Sequence, residues 1–76
     1  MINIPLSDLK IGQTAKVVEF LEDNQISQRI EEMGLTIGEE IEILRFAPLG
    51  DPIEIKIRGY LLSLRKEEAE SILVSL

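Results

Sequence analysis

The stretch IEIKIR, residues 53–58, alternates strictly between apolar and charged positions. Ile53, Ile55 and Ile57 fall on one face and Glu54, Lys56 and Arg58 on the other, which predicts a half-buried antiparallel strand. Upstream, TAKVVEFL (14–21) is rich in strand formers but carries apolar residues at both parities, as in a small barrel strand. EIEILRF (40–46) places Ile41 and Ile43 on one face and Leu44 and Phe46 on the other. Gly59 interrupts the alternating strand, and Tyr60 to Leu64 resumes it. Ile72 and Val74 suit a closing strand.

One segment changes period. In QISQRIEEM, Ile26, Ile30 and Met33 recur at i, i+4 and i+7, the spacing of one helical face. Asn24 suits the N-cap. Gly34 suits the left-handed position after the helix, with Leu35 as the apolar contact of a Schellman ending. This predicts a helix over about 25–33. Lys66 to Ser71 is rich in good helix formers and predicts a second, short helix. Turns fall at Ile11-Gly12-Gln13 and at Thr36 to Glu39, around Gly38. The sum is a mainly β chain: a small, strongly bent barrel of about five strands with an inserted helix and a short C-terminal one. Three strands in hairpin succession, a helical turn and a last strand favour an SH3-like barrel over an OB-like one. In that form the last strand returns to pair with the first.

The sharpest local signal is the hairpin APLGDP, residues 47–52. Pro48 suits the second position of a type I turn and Gly50 the fourth, where it can close a three-residue hairpin in the left-handed region. Asp51 precedes a proline and is biased to extended geometry, and Pro52 belongs at a strand start. Only Leu49 has no such duty. An apolar residue at a turn tip points to a contact surface. One glycine with no following lysine or helix does not make a phosphate-binding loop.

Composition narrows the chemistry. The 76 residues suit one domain, and 45% hydrophobic content supports a core of Ile, Leu and Val, since aromatics are only Phe20, Phe46 and Tyr60. A proline-peptide groove needs several aromatics together. The chain has no Cys and no His, which removes disulfides, thiolate metal sites and the commonest general base. With no nucleophile–base pair in view, no catalytic residue, cofactor or metal ligand is assigned. The net charge of -6 opposes a nucleic-acid partner. The N-terminus MINIPLSDLK has no basic-then-apolar leader, and no run is long enough to span a bilayer, so a cytoplasmic protein is expected.

The APLGDPIEIKIRGYLLSLRKEEAESI run, with QRIEEMGL and TIGEEIEI upstream, resembles the ferrous iron transport protein A family (FeoA). The matching positions are Met33-Gly34-Leu35, Ile37-Gly38, Ala47 to Pro52, Ser63-Leu64-Arg65 and Glu67-Glu68-Ala69. The likeness spans about Leu6 to Val74. Two positions depart from the family pattern: Ser27-Gln28-Arg29 stands where a run of Arg is usual, and Met33 replaces Leu. The resemblance implies an SH3-like barrel and an accessory role beside the membrane ferrous iron transporter FeoB, which carries a cytosolic GTPase domain. The same domain type ends iron-dependent repressors, so a divalent-metal chaperone or sensor is the alternative.

Candidate partner contacts are Ile26, Arg29, Met33, Leu35, Leu49 and Arg65. All but Leu49 have a plainer reading. Arg29 can pair with Glu32 on a solvated helix face, and Ile26 and Met33 can be core. Arg65 can pair with Glu67, Glu68 or Asp51. Glu31-Glu32 and Glu67-Glu68 are adjacent on helices, diverge by about 100° and read as solvated faces rather than iron ligands. Docking on FeoB's cytosolic part is the expected mode of action, with no membrane insertion. The oligomeric state is left open.

Overall fold

The strictly alternating segment forms the strand that organises the rest. In the computed structural model, which describes residues 2–21 and 25–76 (25–27 through their backbone alone), Ile53–Ile57 is strand β4. Five more strands surround it: β1 Asn3–Pro5, β2 Thr14–Phe20, β3 Glu40–Phe46, β5 Tyr60–Leu64 and β6 Ile72–Ser75. The helices are α1, Gln25–Glu32, and α2, Lys66–Glu70, with a short 3-10 turn at Leu6–Asp8. The sheet is antiparallel throughout, in the order β1-β6-β2-β3-β4-β5. As expected, the closing strand returns to pair with Thr14–Phe20.

Six described strands stand where about five were expected. The extra one is β1, which pairs with β6 through Asn3↔Ser75, Ile4↔Val74 and Pro5↔Leu73. Proline is tolerated there because β1 is an edge. The following 3-10 turn buries Leu6, and Leu9 beyond it is also buried, so the N-terminal segment packs against α2 and β6.

The core is a ladder of branched side chains. Ile41 faces Ile57, Ile43 faces Ile55, and Ile53, Ile55 and Ile57 face Leu64, Leu62 and Tyr60 on the other side. Ile41, Ile43, Ile53, Ile55, Ile57 and Leu64 are almost wholly buried. Each such residue contributes about 1.5–3 kcal/mol on burial, which offsets the chain entropy of a domain this small.

Two bulges alter the expected facing. The register slips between Ile43 and Arg45, so Arg45 lies opposite Glu54 and Phe46 opposite Ile53. Phe46 therefore packs against the core, not on the face opposite Ile43. The register slips again between Val17 and Glu19, which sets both Val17 and Phe20 on the core side, opposite Val74 and Ile72. An extra residue in one strand bends it and increases its twist. These bulges, at Leu44 and Val18, curl the sheet around its core.

The turns follow their chemistry. Gly50 N–H donates to Ala47 O at 2.7 Å, and Gly50 has φ 83°, the left-handed geometry expected of it. Ala47 N–H donates to Pro52 O, and Pro52, after a cis bond from Asp51, leads directly into β4. Gly38, at φ 93°, occupies the third position of the Thr36–Glu39 turn. At Arg58-Gly59 both residues have positive φ, the signature of a two-residue type I′ hairpin. Arg58 thus belongs to the turn and not to the strand that its alternation suggested.

Candidate docking surface

The helix α1 ends as its sequence requires. Leu35 N–H donates to Ile30 O and Gly34 N–H to Glu31 O, the two bonds of a Schellman motif. Gly34 has φ 101°, and Leu35 turns wholly into the core. Leu35 is therefore corrected from partner contact to core residue: the Schellman geometry that positions it also buries it. Met33 is half-buried against the core, and its carbonyl accepts the Tyr60 hydroxyl proton at 3.4 Å. Ile30 is the buried anchor of the helix. The Ile26 side chain and the Asn24 cap lie outside the described residues.

Arg29 does not pair with Glu32. Its Nη1 lies 3.0 Å from Oε2 of Glu68, across from α1 to α2. Arg29 is half exposed, whereas Glu68 is only 2% exposed. Glu68 was expected on a solvated face, and the structure turns it inward for a local reason. The first turn of α2 follows an extended Arg65, leaving backbone N–H groups unpaired. Glu68 Oε1 accepts the Arg65 N–H at 2.8 Å while Glu68 N–H donates to Arg65 O at 2.9 Å. This reciprocal pair resembles a capping box built on the backbone of Arg65. The side chain of Arg65 itself makes no ion pair among the described residues.

Asp51 supplies the next donor's partner from a distance. Its Oδ1 accepts the Lys66 N–H at 3.0 Å, so the 47–52 hairpin is fastened to the start of α2. A carboxylate at a helix start also meets the positive end of the helix dipole. Asp51→Ala is expected to cost about 1 kcal/mol, the usual worth of an N-terminal cap, read as a lowered urea midpoint with unchanged slope.

Of the expected contacts whose side chains are described, Leu35 is buried, Met33 is half-buried against the core, and Arg29, Leu49 and Arg65 reach solvent. The hairpin tip, the start of α2 and the exposed face of α1 are linked in turn by Asp51–Lys66 and Glu68–Arg29. Leu49 projects from the tip at 95% exposure, with Arg65 beside the fastened end of the loop. Asp51, Arg65, Lys66, Glu67 and Glu70 line an open polar cleft. Glu68 and Tyr60 carry structural duties that sequence reasoning missed. A Glu three residues after a capping Ser or Thr would have been a signal, but position 65 holds Arg.

Among the described residues, no group of three or more Asp or Glu side chains is arranged to hold a metal ion. No described helix is long and apolar enough to cross a membrane.

Comparison with known proteins agrees with this architecture. A FeoA-like protein from Clostridium acetobutylicum, solved by NMR, superposes with a TM-score of 0.92 at 41% identity, over 100% of this chain and 88% of that one. A FeoA from Stenotrophomonas maltophilia, crystallised with zinc and described as a prokaryotic SH3 domain protein, gives 0.75 at 29% identity, over 99% and 91%. The mainly β fold is thus SH3-like. A Porphyromonas gingivalis protein that fuses Fe(2+) transport protein A to the Fe(2+) transporter FeoB is 39% identical over 71 residues. That match covers 93% of this chain and 8% of the fusion protein. The FeoA domain model matches residues 4–76, and the chain belongs to the FeoA family of ferrous iron transport.

Proposed function

We propose that this chain is a cytoplasmic, non-enzymatic interaction module that docks on the cytosolic, GTPase-bearing part of a FeoB-type transporter. The observation that carries the reading is Leu49. It stands almost fully exposed on a hairpin whose turn is already satisfied by Gly50, Ala47 and Pro52, so the leucine adds nothing to the turn itself. A large apolar side chain that projects into water is the kind of anchor that a partner pocket accepts. Arg65 and the exposed rim of α1 supply polar contacts around it. The P. gingivalis fusion, which joins the two components in one polypeptide, supports FeoB as the partner.

The test is a pull-down and titration of the purified cytosolic domain of FeoB. Leu49→Asp is expected to weaken binding at least about tenfold, as for an interface anchor, and Arg65→Glu about fivefold. Both variants keep the wild-type urea midpoint, because neither side chain is buried. Wild-type affinity in both variants overturns this surface.

A further inference from the structure

At one end the β3-β4-β5 ladder stops on a single row, Phe46–Ile53–Leu64. Past that row two stretches of chain leave side by side: the hairpin 47–52 between β3 and β4, and Arg65-Lys66 at the head of α2. The hairpin's own bonds, Gly50 N–H to Ala47 O and Ala47 N–H to Pro52 O, set the shape of its turn. They do not set its angle to the barrel, because both ends of each bond lie within the hairpin. Among the described residues one hydrogen bond leaves the hairpin for another element: Asp51 Oδ1 accepts the Lys66 N–H at 3.0 Å. No ion pair among them does so.

The two ends of that bond stand beside the two side chains assigned to docking. Leu49 is two residues before Asp51, and Arg65 is one before Lys66. Both are exposed, and Arg65 makes no ion pair among the described residues. A partner that takes both must meet them at one separation. The Asp51–Lys66 bond is the link that sets it, since the sequence between them runs through two strands and a turn.

We infer that Asp51 is a positioning residue for docking: by holding the Lys66 N–H it fixes Leu49 relative to Arg65, so that the FeoB-type partner meets them as one preformed pair. Resting on the Leu49 docking reading, it adds to that reading a residue that acts without touching the partner. Breaking the tie leaves both side chains present but lets the hairpin tip pivot on the Phe46–Ile53 rung. Binding must then supply the ordering that the fold otherwise supplies in advance. The two ends can be cut independently. Asp51→Ala removes the acceptor, and Asp51→Asn keeps an acceptor oxygen. Lys66→Pro removes the donor. Lys66 is the first helical position, where proline is favoured, and Arg65 before it has φ -69° and ψ 149°, the extended geometry that proline imposes on its predecessor. Lys66→Ala keeps the N–H and is the reference for the lost side chain.

The test has two arms on the full chain. Without a partner, backbone amide relaxation by NMR reads the hairpin tip. The Leu49 amide order parameter is expected to fall from about 0.85 toward about 0.6 in Asp51→Ala and in Lys66→Pro, and to stay at the wild-type value in Asp51→Asn and Lys66→Ala. With the purified cytosolic domain of FeoB, calorimetric titration is expected to give about fivefold lower affinity for Asp51→Ala than for wild type, and the same drop for Lys66→Pro against Lys66→Ala. Asp51→Asn binds as wild type. The double variant Asp51→Ala/Lys66→Pro binds no worse than Lys66→Pro, because either cut opens the same tie. An unchanged tip, or unchanged affinity despite a loosened tip, overturns the inference and leaves the Leu49 reading to stand on Leu49→Asp. A loss in Asp51→Ala with none in Lys66→Pro makes Asp51 a direct partner contact and also overturns it. Wild-type binding of Leu49→Asp removes the docking reading and this inference with it.

Discussion

Gly34→Ala lowers the stability of this domain by about 2–4 kcal/mol, enough to consume much of what a 76-residue fold possesses. Two costs add. The residue has φ 101°, where any side chain is strained by about 1–3 kcal/mol. A methyl group there also overlaps the Tyr60 hydroxyl, which leans over the helix end to reach Met33 O. The hydroxyl is the far end of a partly exposed side chain and can move aside, but only by giving up its bond to Met33 O, so this cost is the smaller of the two, about 1 kcal/mol. The two costs can be separated. Tyr60→Phe removes the overlapping oxygen and forfeits one long, exposed hydrogen bond, so alone it is expected to cost under about 1 kcal/mol. The double variant then recovers the steric part of the loss and retains the backbone part. Urea unfolding of the four proteins measures this; additive losses would show that the hydroxyl and the methyl never meet.

The contrast between Gly34 and Tyr60 shows how far the sequence alone reaches. The Schellman ending was readable because its residues are neighbours: an apolar helix face, a glycine, a leucine. The same holds for Ile53, Ile55 and Ile57, and for Pro48 and Gly50. What the sequence conceals is set by residues far apart in the chain. Nothing local marks Tyr60 as the lid on Gly34, or Asp51 as the cap of a helix fifteen residues on. The bulges at Val18 and Leu44 escaped because a residue string gives parity, and a bulge shifts parity without changing composition. Strand β1 escaped for a related reason: three residues with an asparagine and a proline acquire strand geometry only because β6 stands beside them. The docking residues divide along the same line. Leu49 was identified by what its turn does not need. Leu35 was misplaced because its exposure depends on which way the chain goes after Gly34.

Arg29 is the candidate whose meaning changes most, and the experiment that exposes this is a double-mutant cycle with Glu68. Arg29→Ala leaves a carboxylate that is 2% exposed without its countercharge and is expected to cost about 3 kcal/mol. Glu68→Gln is milder. The amide oxygen still accepts the Arg65 N–H, and Arg29, half exposed, returns to water, so the loss is about 1 kcal/mol. The asymmetry follows from burial: the cost lies in the charge that stays inside. Combining the two substitutions removes that stranded charge, so the double variant is expected to be more stable than Arg29→Ala alone. Thermal or urea unfolding reads the cycle. A double variant as unstable as the sum of the singles would mean that Glu68 is not held by Arg29. The result also governs how docking is tested. A loss of FeoB binding in an Arg29 variant reports on a clasp between α1 and α2 before it reports on an interface. Leu49 and Arg65 are the positions where affinity can be read without first correcting for the fold, and Glu68→Gln, which retains the Arg29 side chain but releases it from the clasp, is the control that tells the two apart.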